Sequence, residues 1–465
     1  MTLGLIDAGE AATAVPLHLV SKASLPGWLA GRPAAEQSFV AAMGFEGAAG
    51  ATLFIPGEAG LGQVVLGQGE PLLSEAERDL WCLGALPNSL PAGDYRLAEQ
   101  PGAEAATLMA LGWALGAYAF ERYKPRKRAP ARLVWPEAAD RARVEREAAG
   151  IVLARNLINT AAGDLGPAEL AEAAAALARE HDAVCAITVG EELLAANYPM
   201  IHAVGRAAAQ EPRLVDITWN PGGRRRVTLV GKGVCFDTGG LDLKPAGGML
   251  LMKKDMGGAA NVLGLAHMIM AAKLDVRLRV LVPAVENAVS ARSFHPLDVL
   301  QTRKGITVEV GNTDAEGRLI LADALVEADS EKPDLLIDMS TLTGAARVAL
   351  GPELPALFTR HDDLAQQLEA QSRRVADPLW RLPLWPHYRK QIDSKVATIS
   401  STGTTAFNGA TTAALFLAEF VSPDTRWAHL DFSAWNFGSR PGRAEGGEAM
   451  AIRALFGAIE ELAAG

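Results

Sequence analysis

With 465 residues, 49% of them hydrophobic and 21% charged, the chain has material for about two to four domains that fold by burying apolar cores, which excludes a disordered or disulfide-stapled protein. Its 44 basic and 54 acidic residues leave a formal charge of -10, so a phosphate backbone is repelled at long range and nucleic acid is not an expected partner. Three scattered cysteines, Cys82, Cys185 and Cys235, form no CxxC pair, which excludes a thiolate zinc site and fits a reducing, cytoplasmic compartment.

The first twenty residues carry Asp7 and Glu10 and no leading Lys or Arg, so no export leader is expected. No segment approaches the roughly 18 uninterrupted apolar residues of a membrane span, and Ala110 to Phe120 has the length of a buried helix. Pro and basic residues then crowd Tyr123 to Pro136, with a dense run at Lys124 to Arg128 that reads as a solvated linker. The expected organisation is an N-terminal α/β domain over 1–136, a linking helix over 137–165 and a catalytic domain over 166–465. Helices are expected over Glu137 to Asn159 and Pro167 to Glu180, from apolar residues at helical intervals. Beyond them, β-branched runs (VTLVGKG, LRVLVPAV, ITVEVG, DLLIDMS) alternate with helical stretches at Gly257 to Lys273 and Leu319 to Asp329. That alternation predicts an α/β fold with a mostly parallel central sheet flanked by helices, whose ligands bind beyond the carboxyl ends of the strands.

Four charged residues, Lys232, Asp237, Lys244 and Asp255, end or follow the apolar run VTLVGKG. Gly239, Gly240, Gly247 and Gly248 permit tight turns between them, so the segment can fold back over a site. Asp255 precedes a helix and reads either as its N-cap or as a metal ligand. Asp314, Glu316 and Arg318 follow ITVEVG at the start of another helix, where two acids are ordinarily macrodipole partners. Taken together, three Asp, one Glu, two Lys and one Arg collect at strand ends of one expected sheet. Uncompensated carboxylates there repel each other and are costly to desolvate. A pair of divalent cations resolves the conflict, as in two-metal peptidases, phosphatases and nucleases.

NTDAEGRL (Asn312 to Leu319), VGKGVCFDTGG and LMKKDMGGAA resemble the metal-binding segments of the leucyl aminopeptidase family, the M17-type cytosolic aminopeptidases. The likeness runs from about Leu153 to the end and is weak over the first 130 residues, the family's variable N-terminal domain. The resemblance implies a two-metal aminopeptidase that removes the N-terminal residue, leucine or another mainly apolar one, from unblocked peptides. It places Lys232, Asp237, Asp255 and Glu316 around a tighter ion, and Asp237, Asp314 and Glu316 around a more exchangeable one. Asp237 and Glu316 would bridge the two. Lys244 would polarise the scissile carbonyl, Arg318 would hold a bicarbonate acting as general base, and Met252, Thr341 and Gly344 would line the pocket for the first side chain. A homohexamer is implied as well. Because no histidine belongs to the ligand set, manganese, zinc, magnesium and cobalt all remain admissible.

His267 and His429 are expected to be packed or surface residues, since no HExxH or paired spacing includes them, and Cys235 a packing thiol. Two rival functions stand beside the peptidase: a two-metal phosphoesterase, separable by a phosphate-ester assay, and a DNA-binding regulator, separable by a gel shift at low and moderate salt.

Overall fold

The computed structural model describes residues 3–11, 13–58, 60–69 and 74–465; Met1, Thr2 and Ala12 of the segment inspected for a leader lie outside them. The chain divides into two units, residues 1–149 with 438–445 and residues 150–437 with 446–465. Among the described residues no helix is long and apolar enough to cross a membrane.

The smaller unit is built on a six-stranded sheet in the order Leu5–Ile6, Arg132–Val134, Asp94–Leu97, Val15–Val20, Gly60–Gly67 and Thr52–Gly57, parallel except at the last pair. The apolar helix Ala103–Gly116 is buried almost throughout and lies against helix Glu75–Trp81. Gly112 permits that approach, because a Cβ there would stand 1.7 Å from the Leu80 carbonyl oxygen. The basic, Pro-rich stretch is more than a solvated linker. Arg128 donates to the Asn88 and Leu90 carbonyls, Arg132 holds Asp94 through two hydrogen bonds, and Arg132–Val134 is an interior strand of this sheet. Leu133, fully buried, supplies its apolar anchor.

The larger unit carries the nine-stranded sheet. Its centre runs Trp427–Asp431, Leu335–Ser340, Arg225–Gly231 and Val276–Asn287, all parallel, with Gly233–Asp237 joining the last of these in parallel. Antiparallel pairs appear only toward the edges, at Ala356–Phe358, Arg213–Trp219 and Val184–Val189. Val227 to Gly231 is buried at every position, as a parallel strand between helical layers must be, and helices Gly257–Ala271 and Glu316–Ser330 both pack on it. Helix Pro167–Glu180 opens with proline in its first turn and Glu169 accepting from the Gly166 N–H at 3.0 Å, both recognised helix starts. One expectation fails. Thr307–Glu309, the strand ahead of Asp314, belongs to a separate three-stranded sheet with Val299–Gln301 and Ile399–Ser400, so the acids do not all end strands of one sheet.

Candidate active site

Adjacent parallel strands deliver the site. Lys232 follows the end of Arg225–Gly231, Asp237 closes Gly233–Asp237, Thr341 follows Leu335–Ser340 and Phe432 follows Trp427–Asp431. All four line one cleft, at the carboxyl edge where open α/β sheets bind ligands. Beyond Asp237 the chain reverses through Gly239 and Gly240, at φ +90 and +66, values a side chain would strain. The Thr313 hydroxyl donates to the Gly239 carbonyl at 2.6 Å, and the Asp242 carboxylate accepts from the Thr313 N–H at 2.7 Å. This lacing returns Lys244 over the site, its Nζ 2.8 Å from Asp237 and in contact with Asp314.

Asp255 lies in the one-turn helix Met252–Met256, and the following helix is capped by Met256 with no side-chain bond. It is not an N-cap. Its carboxylate accepts from the Thr341 hydroxyl at 2.8 Å and meets Lys232 Nζ at 2.7 Å. Asn312 starts the turn Thr313–Ala315 by accepting from the Asp314 N–H at 2.7 Å, and that turn feeds Glu316 into the first position of helix Glu316–Ser330. Glu316 reaches Lys232 at 3.0 Å. Gly317 makes room for that amine, since a Cβ there would lie 2.4 Å from Lys232 Cε.

Lys232, Asp237, Lys244, Met252, Asp255, Asp314, Glu316, Thr341 and Gly344 thus meet in one cleft. Arg318 does not line it: its guanidinium is buried, donating to the Ser401 carbonyl at 2.7 Å, and its Nε has no hydrogen-bond partner among the described residues. Lys254, Leu342, Thr343, Arg347 and Phe432 complete the wall; of these only Lys254, with Lys253 a positive pair beside Asp255, stands out in the sequence. Of the paired lysines, Lys253 turns away to the Asn159 carbonyl at 2.7 Å, while Lys254 is buried in the cleft and pushed down to about 8 by desolvation. Asn287 was also missed; it donates to Asp237 at 2.8 Å, joined by the Gly239 N–H at the same distance, so one Asp237 oxygen is fixed and the other faces the cleft.

Asp237, Asp255 and Glu316 each offer an oxygen, all within 4.8 Å of one another. Burial, then the Asp237 charge, pushes Glu316 up to about 8, and the same two causes push Asp314 up to about 6. Burial alone would depress Lys232 and Lys244, but Asp255, Glu316 and Asp237 hold the first well above its ordinary range, and Asp237 and Asp314 the second. Glu316 Oε2 is buried without a hydrogen-bond partner among the described residues. Carboxylates this close, one with an orphaned oxygen, fit a divalent cation, whose charge reverses the repulsion that raises their pKa values.

Residues 152–456 match the cytosol aminopeptidase family, catalytic domain, and residues 15–136 match the M17 aminopeptidase N-terminal domain. The chain belongs to the cytosol aminopeptidase family. Its fold is the family's two-domain α/β fold: the structure of a cytosol aminopeptidase from Coxiella burnetii is 48% identical with a TM-score of 0.93, covering 98% of this chain and 99% of the other. The bottromycin maturation enzyme BotP in complex with Mn is 33% identical with a TM-score of 0.84, covering 97% and 100%. A curated relative from Stenotrophomonas maltophilia, named probable cytosol aminopeptidase, is 46% identical over 288 residues, which is 62% of this chain and 58% of that protein's length. None of these relatives is named as a phosphoesterase or a DNA-binding regulator, so neither rival gains support.

Proposed function

We propose that the chain is a metal-dependent aminopeptidase that hydrolyses the first peptide bond of unblocked peptides at a site for two divalent ions. One observation carries this reading: Lys232, Asp237, Asp255, Asp314 and Glu316, with Lys244 beside them, converge in one cleft of a chain with the family's fold. In the proposed roles Lys232, Asp237, Asp255 and Glu316 would hold the tighter ion and Asp237, Asp314 and Glu316 the exchangeable one, so that Asp237 and Glu316 would serve both. When bound, such ions supply a Lewis acid and bring the pKa of a water molecule toward neutrality. Lys232 could ligate only as the neutral amine, so it would give up its proton when an ion binds. Lys244 stays protonated, held so by Asp237 and Asp314, and donates to the oxygen on which charge develops. Met252, Thr341 and Gly344 bound the space for the first side chain. The resemblance alone assigns a bicarbonate to Arg318 as the proton acceptor, for that guanidinium lies outside the cleft wall and donates to the Ser401 carbonyl.

The Mn-bound relative supports manganese, with zinc, magnesium and cobalt as alternatives. By the same resemblance the protein is a cytoplasmic homohexamer, with residues 1–136 as its N-terminal domain and candidate oligomerisation element, 137–165 as linking helix and 166–465 as catalytic domain. Metal-stripped protein reloaded with Mn, Zn, Co or Mg and given a panel of aminoacyl anilides tests the reading. Cleavage of leucyl but not acetyl-leucyl anilide is expected, whereas equal turnover of both, or turnover of a phosphate ester alone, would overturn it.

A further inference from the structure

A second cluster of ligating side chains lies in the larger unit, outside the cleft. Helix Pro167–Glu180 ends at Glu180, and His181 follows as its cap residue. His267 stands on helix Gly257–Ala271, ten residues beyond its start and therefore about 15 Å along its axis from the end that adjoins Asp255. His181 Nε2 and His267 Nδ1 face each other at 3.1 Å, with the rings edge to face and their centroids 5.0 Å apart. A carboxylate oxygen of the exposed Glu180 lies within 4.8 Å of one ring nitrogen of each histidine.

The geometry points to a third divalent-metal site formed by Glu180, His181 and His267, of the two-histidine, one-carboxylate kind that takes zinc. Two nitrogens bound to one tetrahedral zinc ion at about 2.0–2.1 Å stand roughly 3.3–3.4 Å apart, so the imidazoles already hold nearly the spacing that an ion imposes. Two neutral imidazoles also reach this distance in a hydrogen bond, one ring donating its N–H to the other's lone pair; an ion would instead take a lone pair from each of the two facing nitrogens. Both rings are half-buried, and burial depresses the His181 pKa, which keeps its lone pair available near neutrality. Glu180, exposed at the helix end, is free to swing onto the ion and leaves one position open to water. The ion would tie the end of one helix to the flank of the helix that begins beside Asp255, a structural role independent of the proposed catalytic ions.

Zinc per chain, measured by elemental analysis after equilibrium dialysis at fixed free zinc, compares the whole protein with His181→Gln and His267→Gln. The wild type is expected to hold one more ion than either variant, and equal counts in all three would overturn the assignment. The difference is read rather than the total, so failure of the two-ion reading of the cleft leaves the result interpretable. Because His267→Gln alters a packed helix, the wild type also supplies its own test. Zinc should protect His181 from carbethoxylation mapped by mass spectrometry while magnesium does not, and equal labelling with both would refute the site.

Discussion

Replacing Lys244 by alanine separates catalytic charge from metal binding. Its ammonium is 2.8 Å from Asp237 and in contact with Asp314, two of the three carboxylates proposed for the exchangeable ion, and its side chain is 15% exposed. The variant therefore loses a positive charge from the cleft without losing a ligand, and removing a like charge beside Asp237 should leave metal affinity unchanged or tighter. The cost falls on the transition state. A single donor to a developing oxyanion is worth about 2.7–4 kcal/mol, or roughly 10²–10³-fold in kcat at about 1.4 kcal/mol per tenfold. KM should change little, since the interaction strengthens only as charge develops. Metal content and kcat on leucyl anilide, measured on the same preparation, decide it. Loss of an ion, or near-normal turnover, would show that Lys244 does not have this role.

Asp255→Ala removes a proposed ligand and should lower metal content, with excess manganese recovering part of the rate; full occupancy in the variant would exclude Asp255 from the set. Arg318→Ala should retain both ions and lose about 10²–10⁴-fold in turnover, partly restored by added bicarbonate, as expected of lost general-base assistance. Gly317→Ala places a Cβ 2.4 Å from Lys232 Cε, so its amine must move, and weaker binding of the tighter ion is expected by titration against a chelator. Buried Asp323, which accepts from the Met200 and Arg303 N–H groups at 2.7 and 2.9 Å, is raised by desolvation from 3.8 to about 7. The folded chain keeps that proton after the unfolded chain has released it, so the stabilisation is complete below pH 3.8 and lost as pH rises through about 7. The Tm of the wild type relative to Asp323→Asn should fall between those values, and a pH-independent difference would contradict the raised pKa.

Much of the cleft was legible because its chemistry is local. Asp314 and Glu316 share NTDAEGRL, Lys232 and Asp237 flank Gly233, and the parallel strands behind them are uninterrupted apolar runs. What stayed hidden depends on partners distant in the chain. Nothing within ITVEVG says that Thr307–Glu309 pairs with Ile399–Ser400 rather than with the central sheet. Arg132–Val134 is too short and too close to proline to read as a strand, yet it fits between two others. Lys253 and Lys254 are indistinguishable by composition, and only the turn of helix Met252–Met256 sends one out and the other in. Asn287 ends a strand without any motif; its role follows from the register that sets it opposite Asp237. His181 and His267 lie 86 residues apart, and only helix packing brings them together.

The pairing of Asp237 with Asn287, and the lacing of its loop to Thr313, also bear on how the protein comes into being. Carboxylates separated by about eighty positions reach one another only after the parallel strands have assembled, so an emerging or half-folded chain holds no complete cation cage. The proposed peptidase activity would thereby be deferred until the larger unit has folded. Ions that bind only the finished arrangement draw the folding equilibrium toward it, by about 4 kcal/mol for each at a thousandfold excess over its Kd. Chelation should therefore do more than silence the protein: it should lower the temperature at which the larger unit melts.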